Sequence, residues 1–175
     1  MSDVFVEQIV ERKPDAKANL IKIGIALAAI LLPSTVLFFG VLRFIFPVTL
    51  GLCCWGAFLM IRKQNVEYEY SFTNGELDVD KILGRRMRRH VLSVRVRQFD
   101  ILAPMTGEYR DEYEARTIQR TEDASTSPKS PDRWFARFTD DAGAVTLLIF
   151  EPNERMREAM KGLIPHKYRG PDTAL

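Results

Sequence analysis

The chain has 175 residues, a formal net charge of +2 and two cysteines. This length leaves room for about one domain of 100–200 residues, and the small net charge gives no support for a nucleic-acid-binding protein. The cysteines, Cys53 and Cys54, are adjacent, which excludes a structural disulfide framework, and no cleavable signal peptide is evident.

Residues 1–19 form an amphipathic N-terminal segment. Its apolar residues recur on one face of a helix, Asp3 can cap the start, and Pro14 follows the end. The apolar positions are Phe5, Val6, Ile9 and Val10. The spacing predicts a short helix lying on the membrane surface. The alternation of Val4 and Val6 also permits a strand that adds to a sheet edge.

Residues 20–61 are apolar almost throughout. Only Lys22 and Arg43 carry charge, and they delimit two uncharged runs, 23–42 and 44–61. About 20 helical residues cross the ~30 Å core of a bilayer. The pattern predicts a two-span transmembrane hairpin rather than two core helices. No Asp, Glu or His lies at membrane depth, which argues against a transporter or pump.

The basic residues lie outside the two spans. They precede the first span and follow the second, whereas the turn between the spans holds only Arg43. The positive-inside rule therefore predicts a multi-pass protein of the cell membrane with both termini in the cytoplasm. Pro33 and Pro47 lie within the predicted spans, where each can kink its helix.

Two alternating runs follow the hairpin, separated by Asn74-Gly75. Residues 66–73 and 76–80 alternate apolar and polar side chains, and Asn-Gly favours a type I′ turn between paired strands. The resulting register sets Phe72 opposite Leu77, Tyr70 opposite Val79, and Glu69 opposite Asp80. Because opposed like charges are destabilising, we expect basic residues beside them.

A basic turn, residues 84–89, leads into a third predicted strand at 90–97. The phase shifts near Gln98, which indicates a bulge or bend, and a strand continues from Phe99 until Pro104. Further segments are predicted from composition and alternation. They are loops at 106–114 and 124–132, a weak strand at 115–123, and strands at 133–139 and 144–151.

The last regular element is an amphipathic helix opened by Pro152 at a first-turn position and ended by Pro165. Its apolar residues are spaced for one helical face. They are Met156, Ala159, Met160, Leu163 and Ile164. Residues 166–175 are predicted to be a flexible tail.

This order of elements resembles a pleckstrin-homology (PH) domain. The detail is similar to an uncharacterised bacterial family in which a membrane hairpin precedes such a domain. The similarity is carried by residues 68–78, 127–135 and 150–152. It implies a membrane-anchored α+β protein, with a PH-like antiparallel sandwich or barrel of about seven strands and a C-terminal helix over residues 66–165. It implies no activity.

Phosphoinositide-binding members of the wider PH superfamily carry a basic cluster around their first two strands. The corresponding turn here, Asn74-Gly75-Glu76, is acidic, which counts against phosphoinositide recognition.

No catalytic, metal or cofactor site is predicted. His90 and His166 have no Cys or carboxylate at metal-ligand spacing. The serines of loop 124–132 lack a nucleophile-elbow sequence, and Asp140-Asp141 fits a hairpin turn. The sequence therefore favours a non-enzymatic protein without a cofactor.

A membrane-surface site is predicted instead. A strand of eight residues runs ~26 Å outward, and its partner returns over the same length, so the basic turn comes back to the bilayer. The predicted contact residues are Arg62, Lys63, Arg85, Arg86, Arg88 and Arg89. Each cation near an anionic leaflet contributes about 1 kcal/mol. The alternative is that these arginines only pair with Glu69, Asp78 and Asp80.

These features predict a PH-like module that presents a protein-interaction surface at the inner leaflet. Its partners would be the bilayer, with its anionic headgroups, and an unidentified protein, but not nucleic acid; self-association is compatible with the hairpin. Candidate surfaces are the acidic loop 108–114, the serine-proline loop 125–132 and exposed strand edges. The alternatives are an accessory subunit held by its transmembrane hairpin and a lipid- or small-ligand-binding domain.

Overall fold

The computed structural model describes residues 5–14, 16–38 and 40–170. The described strands are β1 Phe5–Glu11, β2 Val66–Thr73, β3 Glu76–Leu83, β4 Met87–Arg95, β5 Phe99–Pro104, β6 Arg120–Asp123, β7 Trp134–Thr139 and β8 Val145–Phe150. The α-helices are α1 Ala16–Ser34, α2 Phe46–Lys63, α3 Arg110–Tyr113 and α4 Glu154–Leu163. One four-stranded sheet has the order β1-β2-β3-β4, and the other has the order β5-β7-β8-β6.

The N-terminal segment is a strand, so the predicted interfacial helix is wrong. β1 pairs antiparallel with β2 along its whole length. Val6 and Val10 point into the core, and Phe5 and Ile9 are exposed. The inward polar residue, Gln8, is satisfied because its amide donates to the Glu151 carbonyl and accepts from the Asn153 N–H. The β-branched residues Val6, Ile9 and Val10 and the open edge of β2 favour a strand here.

The two long apolar helices are inserted between β1 and β2, where a simple hairpin would have a turn. Because β1 and β2 are adjacent and antiparallel, α1 begins and α2 ends at the same edge of the sheet. The stretches long and apolar enough to cross a membrane are Ala16–Phe38 and Arg43–Arg62. Their buried shares are 11% and 0%, so neither is a core helix of the described fold.

The hydroxyls of Ser34, Thr35 and Thr49 form hydrogen bonds within the two apolar stretches. Each donates to a backbone carbonyl three or four residues earlier in the chain at 2.7–2.9 Å, rather than to the other long helix. Pro33 lies inside α1, as predicted. Pro47 does not interrupt a span, because it lies in the first turn of α2, where its missing N–H costs no helical hydrogen bond.

The β2–β3 turn has the predicted register. Tyr70 lies opposite Val79, and Glu69 lies opposite Asp80. Asn74 and Gly75 both have positive φ, 52° and 91°, as a type I′ turn requires.

β4 begins and ends earlier than predicted. The β3–β4 turn is confined to residues 84–86, and its first two residues, Gly84 and Arg85, have positive φ. Arg88 and Arg89 therefore belong to β4. The phase shift near Gln98 is a short 3₁₀ turn, Val96–Gln98, where the chain passes from one sheet to the other.

The second sheet is buried on both faces. One face joins the main core, and the other is covered by the segment between β5 and β6, where Tyr113 packs edge-on against Phe135. This explains why β8 is apolar at consecutive positions. The segment 106–114, predicted to be a loop, contains a 3₁₀ turn and α3. β6 forms later than predicted, at Arg120–Asp123, and it runs parallel to β8.

α4 closes the main core with Met156 and Met160, which are fully buried. The helix is capped by Asn153, whose side chain accepts from the Met156 N–H, so Pro152 precedes the helix instead of opening it. The predicted flexible tail is packed up to Gly170. Tyr168 is buried and stacks on Trp134, and residues 167 and 169 bond the backbone of Leu102.

Candidate membrane-surface site

Asn65 joins both long helices to the sheet. Only Gln64 and Asn65 separate α2 from β2. The Asn65 carbonyl accepts from the Gly84 N–H at 2.8 Å, which brings the β3–β4 turn to the end of α2. Its side-chain oxygen accepts from Lys22 Nζ at 3.1 Å, which ties α1 to the same point. The junction is therefore held by hydrogen bonds from the β3–β4 turn and from α1, in addition to its covalent connection to α2.

Basic side chains surround this junction, and we call them the basic collar. The basic collar consists of Arg12, Lys13, Lys22, Arg62, Arg85 and Arg86. Lys63 is the last residue of α2, and its side chain lies outside the described part of the structure. Because β3 runs back along β2, the turn that holds Arg85 and Arg86 comes to the end of α2, which also carries Arg62.

Two of the predicted contact residues form ion pairs within the first sheet. Arg85 donates to Glu67 at 2.9 Å, and Arg88 donates to Glu69 at 2.5 Å while lying 3.6 Å from Asp80. Arg86 and Arg89 are exposed and form no ion pair within residues 5–14, 16–38 and 40–170. The arginines therefore divide between pairing with the acidic strands and facing solvent.

The sequence-based site omitted Arg12, Lys13 and Lys22. Arg12 continues the β1 ladder, donating its N–H to Val66, and its guanidinium bonds Tyr68 Oη and the Asp123 carbonyl at 3.2 Å. The signal was present, because all three residues flank or begin the first apolar run. The prediction of a detached helix placed them away from the sheet.

A family model described as "Bacterial PH-like domain (DUF6106)" matches residues 2–170. The chain belongs to this family. It matches no curated protein and no solved structure. The match spans the strand β1, both long helices and the sandwich, so the two apolar helices lie within the matched PH-like chain.

The outer face of the first sheet of this PH-like protein is acidic. Glu69 lies at its centre with only 5% of its surface exposed. Burial is the main cause that raises the pKa of Glu69 above its ordinary value of 4.5; the hydrogen bond and charge of Glu7 and the charge of Asp80 add to it, and Arg88 opposes them. The arginine reduces the electrostatic cost of this face but does not cancel it.

The variant Glu7→Gln is expected to flatten the pH dependence of stability. A carboxyl group with a raised pKa in the folded state stabilises most below its unfolded pKa, and this contribution is lost as pH rises through the folded value. The wild type should therefore lose stability as the pH rises above about 4.5, by at most about 1.4 kcal/mol per pH unit for one proton. Removing the Glu7 charge should reduce that loss.

Thermal unfolding of the full chain in detergent, from pH 4.5 to 8, measures this difference. Glu158→Gln is the matched control, because Glu158 is exposed on α4. Equal pH slopes for the wild type and Glu7→Gln would contradict the assignment.

A second polar cluster on the same sheet has the connectivity Asp–His–Ser. His90 Nδ1 lies 2.9 Å from Asp80, and His90 Nε2 lies 3.3 Å from Ser93 Oγ. Ser93, however, donates its hydroxyl hydrogen to Asp78 and not to His90. A serine nucleophile must pass that proton to the histidine. The geometry therefore favours a cross-strand polar network over a catalytic triad.

The serine-proline loop, one of the predicted interaction surfaces, has contacts within the fold. Thr126 of the serine-proline loop bonds the Glu151 carboxylate through both its N–H and its hydroxyl, and its carbonyl accepts from the Lys13 N–H. Ser125 is fully buried. No cluster of His, Cys, Asp and Glu that could hold a metal occurs among the described residues.

Proposed function

We propose that this protein is a non-enzymatic membrane protein that holds a PH-like domain against the cytoplasmic leaflet, where the domain binds a protein partner. The observation that supports this proposal most strongly is the insertion of both apolar helices between two adjacent strands. A cleavable signal would not follow a strand that belongs to the sheet.

Side-chain exposure supports membrane insertion. The apolar side chains of α1 and α2 face outward, including Leu27 at 54%, Leu52 at 61% and Trp55 at 63% exposed. Such surfaces are unfavourable in water and suited to lipid. The basic collar lies at the ends of both helices that adjoin the sheet, which is the side that the positive-inside rule assigns to the cytoplasm.

The proposed interaction surface is the outer face of the first sheet. It combines exposed Phe5 and Ile9 with the carboxylates of Glu7 and Glu11 on one strand. An apolar patch bordered by charge is typical of protein contact sites. The complementary partner would present basic and apolar side chains.

Single-cysteine variants test this proposal in a Cys53→Ser/Cys54→Ser background. An impermeant maleimide should label Arg43→Cys in intact cells with a permeabilised outer envelope. It should label Ile9→Cys and Glu158→Cys only after the inner membrane is opened. A membrane-permeable thiol-to-amine crosslinker should then give a discrete adduct from Ile9→Cys and none from Glu158→Cys.

Two outcomes would contradict the proposal. Labelling of Ile9→Cys in intact cells would place the domain on the other side of the membrane. Equal crosslinking from Ile9→Cys and Glu158→Cys would show that the outer face of the first sheet is not the contact surface.

A further inference from the structure

A small cavity lies where the end of β1, the first turns of α1 and the Gln64-Asn65 connection meet. Its volume is about 170 Å³. Its lining includes the charged residues Glu11, Arg12, Lys13 and Lys22, together with Asn65. The cavity therefore lies at the depth where α1 and α2 leave the sheet.

The lining of the cavity has an excess of positive charge. Three cations, Arg12, Lys13 and Lys22, contribute to it, against the single carboxylate of Glu11. Arg85 is close enough to Glu11 for their charges to interact, so this carboxylate already has a cation beside it. Within the described residues, no carboxylate forms an ion pair with any of the three lining cations.

Lys22 is the most informative of these residues. It is half-buried and lies within the apolar stretch Ala16–Phe38. Among the residues that the structure describes, its ammonium group bonds only the neutral side-chain oxygen of Asn65. A lysine near the end of a membrane helix extends its ammonium group toward the headgroup layer. The headgroup layer supplies phosphate at that depth.

Arg12 is held in position to act with Lys22. One terminal nitrogen of its guanidinium donates to Tyr68 Oη and the Asp123 carbonyl, both at 3.2 Å. The remaining nitrogens form no hydrogen bond within the described ranges 5–14, 16–38 and 40–170, so they remain free to donate. Arginine suits this role because its planar fork matches phosphate oxygens.

We propose that this cavity binds the phosphate group of an anionic glycerophospholipid from the leaflet on the domain side. Lys22 and Arg12 supply the main charge-assisted hydrogen bonds, and Lys13 adds positive charge at the rim. Basic pockets beside membrane helices are a recurrent mode of headgroup binding. This inference rests on the proposed membrane insertion and names a lipid ligand for it.

Native mass spectrometry of the full chain from nanodiscs tests the proposal. The nanodiscs contain phosphatidylcholine alone or phosphatidylcholine with phosphatidylglycerol. The wild type should retain phosphatidylglycerol selectively. Arg12→Gln/Lys22→Gln should lose at least about tenfold in this retention, whereas Arg12→Lys/Lys22→Arg should keep most of it.

Lys17→Gln/Arg155→Gln is the charge-matched control. Both residues are exposed basic residues outside the basic collar, Lys17 on α1 and Arg155 on α4, and neither lines the cavity. This control should retain the lipid like the wild type. Equal loss of lipid retention in both double variants would indicate general electrostatic attraction to the surface instead of a specific site. No loss of retention in either variant would refute the site.

Two further measurements are needed. One distinguishes a lipid phosphate from free phosphate, and the other distinguishes failure of the headgroup site from failure of the proposed membrane insertion. Inorganic phosphate at millimolar concentration should not displace the lipid; displacement would assign the cavity to a free anion instead. Carbonate extraction of the same variants reports membrane insertion independently. An inserted protein without lipid selectivity refutes only the headgroup site, whereas an extractable wild type refutes the proposed function.

Discussion

Phe150→Ala is expected to lower the free energy of unfolding of the PH-like domain by about 3–5 kcal/mol. Phe150 is fully buried in β8, and its ring contacts Tyr70 edge-on with 5.8 Å between centroids. The substitution leaves a cavity between the two sheets and removes an aromatic pair. Since small domains have only about 5–15 kcal/mol of stability, the variant should be marginally folded.

Tyr70 enlarges the expected effect because it connects three parts of the domain. Its hydroxyl donates to the carbonyl of Ala124, the residue after β6, at 2.6 Å. It also accepts from the N–H of Glu151, between β8 and α4, at 3.4 Å. Loss of the Phe150 ring allows Tyr70 to move, which weakens both contacts.

Urea unfolding of the full chain in detergent measures the change, followed by Trp134 fluorescence in a Trp55→Phe background. Phe5→Ala is the matched control, because the Phe5 side chain is 54% exposed at the edge strand β1. We expect a loss below about 1 kcal/mol for this control. Equal losses for the two alanine variants would mean that Phe150 is not central to the core.

The second large effect is expected from charges placed in the two apolar helices. Leu27 and Leu52 lie near the middle of the candidate spans, and both are exposed. Replacing leucine with arginine at the centre of a membrane helix costs about 3–4 kcal/mol per site on the insertion scale. Leu27→Arg/Leu52→Arg should therefore leave the carbonate-resistant membrane fraction and aggregate or be degraded.

Thr73→Arg/Glu158→Arg also adds two arginines, but at exposed positions of the sandwich. This control should stay in the membrane fraction together with Leu27→Ala/Leu52→Ala. A Leu27→Arg/Leu52→Arg protein that remains resistant to carbonate would show that the helices are not inserted as spans.

The first sheet could be predicted where short-range chemistry determines it. Asn74-Gly75 fixes the turn, and strict alternation fixes which side chains of β2 and β3 point inward. The sequence did not determine β1, because Phe5, Val6, Ile9 and Val10 satisfy both a helical face and a strand. The open edge of β2, more than 50 residues away in sequence, decides between them.

The second sheet was harder to predict, because both of its faces are buried. β8 therefore lacks the alternation of a half-exposed strand. β6 is short and polar, and its parallel pairing with β8 depends on a connection that local pattern cannot indicate. The buried tail was missed for a similar reason, since Tyr168 is held by Trp134 and the backbone of Leu102.

The contact of the basic residues with a membrane stays a prediction. The length of the two paired strands predicted that the arginine turn returns to the end of α2, and Gly84 of that turn bonds Asn65. The alternative of pairing with the acidic strands holds for Arg88, which pairs with Glu69 and Asp80, whereas the pairing of Arg85 with Glu67 was not predicted. Lys22 and Arg12 could not be brought together without knowing that β1 is a strand.

The two-residue connection through Asn65 has a mechanical consequence. Because α1, α2 and the β3–β4 turn meet at one point, the proposed membrane insertion would leave the sandwich little freedom to swing or to extend away from the bilayer. The proposed partner would then have to approach close to the lipid, and its encounters would be confined to two dimensions. On this proposal, anchoring sets the height and orientation of the outer sheet face before any partner arrives.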